Sequence, residues 1–373
     1  MTDPATGQRS FVQALKVPFD LKGVAAGALA YLALLLGGRA ILSSGGAWGD
    51  VTGAIDRVGG LFSGAPVLST GISRDDFLPL AALNLAVAAI FGVACCRIAG
   101  MRIARDEGLD LGDSLAFSVK NIGATLGAVL FMVAAAAFFY ACNALAGLLS
   151  GIPGVGPLLM IVLYPLVLLS TLVLFLLLFG TVLGLPLTFA SLAVERNGAL
   201  DAVSRAFSYV FSRPVLFFAY GITIYFVASL LAACALTMEG LARWTFAHWM
   251  PEGDSWRALQ RAVDAAWTGV VALRTPQLGA VGGLAVLGGW VAWVFGMVFH
   301  LSLFGWVLYY AYGGFTGAYF ALRRDVDGTE DEEIWVEGEE DRFGEPEKPS
   351  APPPSPAAGA PAPAQGGGPP PAP

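Results

Sequence analysis

Six stretches of this chain are long, apolar and nearly free of charge: residues 22–43, 78–98, 123–147, 157–190, 214–236 and one run within 279–322. A hydrocarbon core of about 30 Å takes about 20 apolar residues per helix, so each run is long enough to cross it. The chain therefore reads as an all-α, polytopic integral membrane protein with six transmembrane helices and both ends on one side. Charged residues make up 13% of the 373, against 56% hydrophobic, and that charged share is about half that of a soluble domain.

The remaining charge is unevenly spread. Residues 325–349 hold 12 acidic residues against Arg342 and Lys348, a local charge of −10; the whole chain carries −7, so residues 1–324 carry +3. The organisation expected is a polar, basic N-terminal segment over 1–21, a six-span membrane domain over 22–324, and a tail over 325–373. The tail is acidic, then rich in Pro, Ala and Gly, a composition that cannot bury enough apolar surface to order itself. No convincing small-residue cleavage site follows the first apolar run, which reads as a signal anchor. Cys95, Cys96, Cys142 and Cys234 all fall within the spans and are expected as buried thiols acting as small apolar side chains, with no metal site among them.

Basic residues orient the spans. With the N-terminus inside, the inner segments carry Arg9, Lys16, Lys22, Arg97, Arg102, Arg105, Lys120, Arg196, Arg205, Arg213, Arg323 and Arg324, while the outer loops carry Arg57, Arg74, Arg243, Arg257, Arg261 and Arg274. The excess favours cytoplasmic termini in a cell inner (plasma) membrane.

A pattern recurs where the chain stops being apolar. Residues 105–121, RDEGLDLGDSLAFSVKN, and 195–213, ERNGALDAVSRAFSYVFSR, align at an offset of 90, matching Gly108 with Gly198, Ser114 with Ser204, and Phe117 with Phe207. A third copy begins at ALRRDVDGTE, with Gly328 in the same place. Each glycine is expected to end a helix in the left-handed conformation. The chain then restarts as an amphipathic segment, with Leu111, Leu115, Val119 and Ile122 in the first copy and Leu200, Val203, Phe207, Val210 and Phe211 in the second at helical spacing. Such a helix lies in the membrane interface.

This repeated mark, clearest in NGALDAVSRAFSYVFSRP, resembles bacterial six-helix membrane families of unknown function related to the membrane domain attached to some glycerophosphodiester phosphodiesterases. The resemblance covers residues 80–325 in outline. It implies a fold and no catalytic residues; the phosphodiesterase activity belongs to a separate soluble domain and is not carried over.

Residues 157–190 form a run of about 51 Å as one helix, with Pro165, Gly180 and Pro186 as kink sites. The last run is longer and rich in glycine. Both are expected to kink or break, through close helix packing or, less simply, around a transport site. In the outer loop, Trp256, Leu259, Val263, Trp267 and Val270 make a stripe suited to a helix lying at headgroup depth, and Val51, Ile55 and Val58 make a weaker one.

An ionisable group deep in a span is a functional candidate by default. His300, between Phe299 and Leu301, is the sharpest, although a neutral histidine bonded to a neighbouring helix is the plainer reading. Asn84 and Asn143 suit interhelical hydrogen bonds, and Arg39 lies near a helix end where it can snorkel. No Asp or Glu stands within a span to pair with a proton or cation. His248 and His300 are the only histidines, and no HExxH, nucleophile elbow or P-loop occurs, so no catalytic, metal or cofactor-binding residues are expected. The tail segment EEIWVEGEEDRF sets Ile334, Trp335, Val336 and Phe343 among acids, as short recognition segments do. The reading is a non-enzymatic membrane-organising or scaffold protein whose partners are the lipid bilayer and a cytoplasmic protein met through the tail, with nothing pointing to nucleic acid. The alternative is a transporter or channel for a small or lipidic solute, using broken fourth and sixth helices.

Overall fold

The computed structural model describes residues 20–44, 74–248, 253–271, 275–278, 283–331 and 333–336. The N-terminal segment over 1–19, the stripe at Val51, Ile55 and Val58, and the tail beyond Val336 lie outside the described residues. The chain divides into a body ending at Ile334 and a second unit beginning at Trp335.

Among the described residues the body is all helix and short turns: α1 Leu21–Ser44, α2 Arg74–Val87, a π turn Ala88–Gly92, α3 Val93–Arg105, α4 Leu111–Lys120, α5 Ile122–Ser150, α6 Gly156–Glu195, α7 Ala199–Ser212, α8 Pro214–His248, α9 Asp254–Val271 and α10 Leu284–Asp327. Six of the helical stretches are long and apolar enough to cross a membrane, α2, the π turn and α3 together making one. The multi-pass, six-helix reading holds.

The fourth and sixth spans are not broken. α6 runs for 40 residues with Pro165 and Pro186 inside it, and α10 for 44, about 60 and 66 Å at 1.5 Å per residue. Neighbouring helices explain the continuity of α10: its glycines are points of close approach. A Cβ on Gly27 of α1 would lie 2.1 Å from the Gly305 carbonyl oxygen, and one on Gly305 would lie 2.4 Å from the Ala28 nitrogen. Backbone therefore meets backbone where α1 crosses α10. Lipid supplies no hydrophobic drive between helices, so such small-residue contacts carry the packing.

α10 is the central element, packed on α1, α3, α6, α8 and α9. α9 does not lie alone at the interface; it pairs along the first half of α10, setting Leu259 against Gly288, Ala262 against Gly289 and Val270 against Gly296. The buried face is Ala262, Val263, Ala266 and Val270, while Trp256 is exposed, so the indole stripe is only partly the packed one. α5 and α6 form a hairpin whose outer surface, including Leu130, Phe138, Leu158, Ile161 and Phe175, is exposed apolar side chain suited to lipid. Cys142 and Cys234 are also exposed, contrary to expectation; only Cys95 and Cys96 are buried.

The stops do not use glycine as expected. α3 ends with Asp106 at φ 55° and α6 with Arg196 at φ 53°, both left-handed; only α10 ends on a left-handed glycine, Gly328 at φ 70°. Asp tolerates this conformation through local hydrogen bonding, whereas a left-handed Arg costs of order 1–3 kcal/mol and needs its surroundings to hold it. Gly198 serves two residues later, extended at φ −66°, as the residue before α7, its carbonyl accepting from the Ala202 amide at 3.0 Å. Asp110 does the same for α4, accepting from both the amide and the hydroxyl of Ser114.

Candidate functional site

Two polar assemblies stand out in the body, one between spans and one where the three stops meet.

The first contains His300. On α10 it is buried, and its Nδ1 lies 2.6 Å from Oε1 of Glu239 on α8. Its Nε2 lies 3.2 Å from the hydroxyl of Tyr31 on α1. Phe304, one turn along α10, stacks on Tyr31 at 5.0 Å and tilts against the imidazole at 4.7 Å. Glu239 is also buried, at 7% exposure. A carboxylate, an imidazole and a phenol from three helices thus form one line closed by an aromatic ring. With Glu239 ionised, the pair fixes the tautomer: Nδ1 donates to the carboxylate, and Nε2 accepts from Tyr31.

Glu239 is the residue that sequence reasoning missed. The fifth span was drawn to Leu236, leaving Glu239 in a loop, yet α8 continues to His248. The signal was Met238, Leu241, Trp244 and Phe246, apolar residues that carry the helix past a charge which His300 then meets. The reading that no Asp or Glu stands within a span is corrected accordingly.

The other intramembrane candidates do not join this site. Asn84 donates to the Leu80 carbonyl of its own helix at 2.8 Å. Asn143 donates to Thr171 across the α5–α6 hairpin at 3.1 Å. Arg39 is half-buried near the end of α1. No shared space is lined by His300, Asn84 and Asn143 together, because they sit on different helix pairs.

The second assembly forms where α3, α6 and α10 end. Glu195, the last residue of α6, accepts from Tyr319 at 2.7 Å and Asn197 at 2.6 Å, and pairs with Arg205 of α7 at 2.7 Å. Arg323 of α10 places Nε 3.0 Å from Glu195 Oε1, but its N–H is not aimed at the oxygen, so the contact is ionic rather than a hydrogen bond. Arg97 of α3 is buried, donates to the Ala193 carbonyl at 2.8 Å and lies over the Phe117 ring at 4.7 Å. Arg213 pairs with Asp325 at 2.8 Å. Tyr209 of α7 donates to Asp327; burial, and then that bond, push its hydroxyl above the ordinary tyrosine range. On the same face, the start of α1 meets the first stop through Lys22 with Asp110 at 2.7 Å and Arg102 with Asp20 at 3.1 Å.

The residues of the repeated motif divide between these contacts and the exposed surface. Ser114 and Phe117 are buried in α4, whereas Val119 is exposed. In α7 the buried face is Ala202, Val203, Ala206, Tyr209 and Val210. Phe207 packs on α6, where a Cβ on Gly180 would come within 2.5 Å of its ring. Ser204 is exposed, and so are Leu200 and Phe211. The expected stripe therefore mixes two faces: one packed against the helices and one large apolar edge that stays exposed. Gly108 lies beside the Arg102 guanidinium and Gly198 precedes α7.

After Gly328 the chain turns back onto the body. Arg323 donates to the Glu333 carbonyl at 2.9 Å, Arg324 pairs with Asp331, and Ile334 is fully buried, in contact distance of Gly100. Ile334 belongs to the body rather than to a free recognition segment.

No family model matches the chain, and neither does any curated protein or solved structure.

Proposed function

We propose that this protein is a non-enzymatic scaffold of a cell inner membrane, a rigid six-span platform that presents interfacial helices and an acidic tail on its cytoplasmic face. The observation that carries this reading is the assembly around Glu195. It ties the ends of α6 and α10 to the start of α7, with Arg97 joining α3 and Arg323 and Arg324 holding the segment that leads to the tail. A fixed polar face with exposed apolar edges at Leu200 and Phe211 suits a surface that engages acyl chains. Transport is less well supported: α6 and α10 are continuous, and Asn84 and Asn143 are engaged within or between adjacent helices rather than around a common path. Lys22, Arg102, Arg205, Arg213, Arg323 and Arg324 share the stop face, which supports the cytoplasmic assignment.

Crosslinked copurification in mild detergent tests this, comparing the whole chain with a version ending at Ile334. That end point keeps the Arg323 and Arg324 contacts. A stoichiometric protein partner lost with the tail is the expected result. The same set of lipids and no protein in both samples would overturn the scaffold reading.

A further inference from the structure

The line Glu239, His300, Tyr31 has two complete proton arrangements on one set of heavy-atom positions. In the first, Glu239 is a carboxylate, Nδ1–H donates to Oε1, and the Tyr31 hydroxyl donates to Nε2. The second contains one more proton. Nε2 now carries hydrogen and donates to the Tyr31 oxygen, and the proton between Nδ1 and Oε1 belongs to the pair, as acid and imidazole or as carboxylate and imidazolium. Both contacts, at 2.6 and 3.2 Å, are hydrogen bonds in both arrangements, and in the second the Tyr31 hydroxyl turns its own hydrogen away from the imidazole. The first carries a net charge of −1 and the second none.

Among the described residues, nothing beside the line offsets a net charge. On α10 no other ionisable residue lies between Leu284 and Tyr309. On α8 the next is Arg243, one turn on and exposed, and on α1 the nearest are Lys22 and Arg39, two turns or more away. Asp254, Arg257, Arg261 and Asp264 of α9 are exposed. α2 carries ionisable residues only in its first turn, at Arg74, Asp75 and Asp76. α3 meets α10 further along, at Tyr312 and Thr316, and α6 meets it at Tyr319 and Arg323. An uncompensated charge in such a setting is costly, and one added proton removes it.

We propose that Glu239, His300 and Tyr31 form a proton-binding site within the membrane body, loaded through Tyr31. His300 and Glu239 are both under a tenth exposed while Tyr31 is half-buried, which makes the phenol the least enclosed group of the line. A proton arriving on the Tyr31 oxygen replaces the one its hydroxyl passes to Nε2. Tyr31 ends as it began, the added proton stays with His300 and Glu239, and only O–H and N–H bonds change. Release runs the same steps backward. The site is independent of the scaffold reading, since it needs no partner and no tail.

The test is infrared difference spectroscopy of the full chain in lipid bilayers, titrated through pH in H2O and D2O. The expected result is one protonation change per chain, seen as a carboxylic-acid or an imidazolium band that disappears as pH rises and is lost in Glu239→Gln. In Tyr31→Phe, which keeps the ring and its stacking on Phe304, the band remains, and after a pH jump it forms at least about tenfold more slowly, because the phenol that loads Nε2 is gone. Identical difference spectra for wild type and Glu239→Gln would overturn the proposal. If that variant does not fold, equal rates of band formation in wild type and Tyr31→Phe would overturn it instead.

Discussion

Replacing Glu195 with alanine removes one carboxylate from four partners at once. Of the two cations it serves, Arg323 has a side chain 6% exposed and Arg205 one 36% exposed. Stranding a buried charge costs about 3–5 kcal/mol. Arg323 keeps the Glu333 carbonyl at 2.9 Å and a longer contact to the Glu333 carboxylate at 3.8 Å, which places its share at the lower end, about 3 kcal/mol. The Arg205 pair is solvent-screened and adds at most about 1 kcal/mol. Tyr319 loses an acceptor but retains Ser191 at 3.3 Å, so its loss is about 1 kcal/mol or less. Glu195→Ala should therefore lose about 3–5 kcal/mol, a factor of at least about 100 in the folded-to-unfolded ratio. Reversible denaturation in mixed detergent micelles, followed by circular dichroism, reads this directly. Adding Arg323→Met should restore part of the loss, because it removes the buried charge that has lost its nearer carboxylate. A Glu195→Ala protein within about 0.5 kcal/mol of wild type would refute the claim that this carboxylate holds the stop face together.

Three other perturbations follow from the same contacts. Gly305→Leu puts a side chain where Ala28 backbone lies 2.6 Å or less from a Cβ; α1 should separate from α10, and crosslinking of a cysteine pair placed at Gly27 and Gly305 flanks should fall. Tyr209 has a hydroxyl raised above its ordinary value of 10.0 by burial and by Asp327, so its contribution to stability is complete below pH 10 and lost as pH rises beyond it. Tyr209→Phe should flatten that alkaline limb in a stability titration. Phe207→Asp with Phe211→Asp should expose α7 to aqueous labelling, since the first leaves its seat on Gly180 and the second leaves lipid; unchanged protection would remove the interfacial assignment.

What was legible in the sequence was whatever local chemistry decides. The spans could be read because some twenty apolar residues have one solution in a bilayer, and the stop-and-restart units because composition changes abruptly at Arg105 and Glu195. The conformation inside the stops was not legible: glycine is the usual left-handed residue, yet Asp106 and Arg196 take that role because the chain must turn before Gly108 and Gly198 are reached. The faces of α4 and α7 were mixed because periodicity marks apolar residues without saying whether a helix or lipid covers them. His300 could be singled out alone, but Glu239 and Tyr31 are 61 and 269 residues away, and no spacing rule links them. Packing of α10 against α1 and α8 brings them together.

The central claim is that the three stops share one membrane face. The direct measurement uses single cysteines at Asp106, Arg196 and Gly328, and at Gly154 in the α5–α6 turn, in a chain with Cys142 and Cys234 replaced by alanine. Each is exposed to a membrane-impermeant thiol reagent in sealed vesicles of known orientation. The first three should label together from the cytoplasmic side and Gly154 from the other. Labelling of any one of the three from the opposite side to its fellows would contradict it.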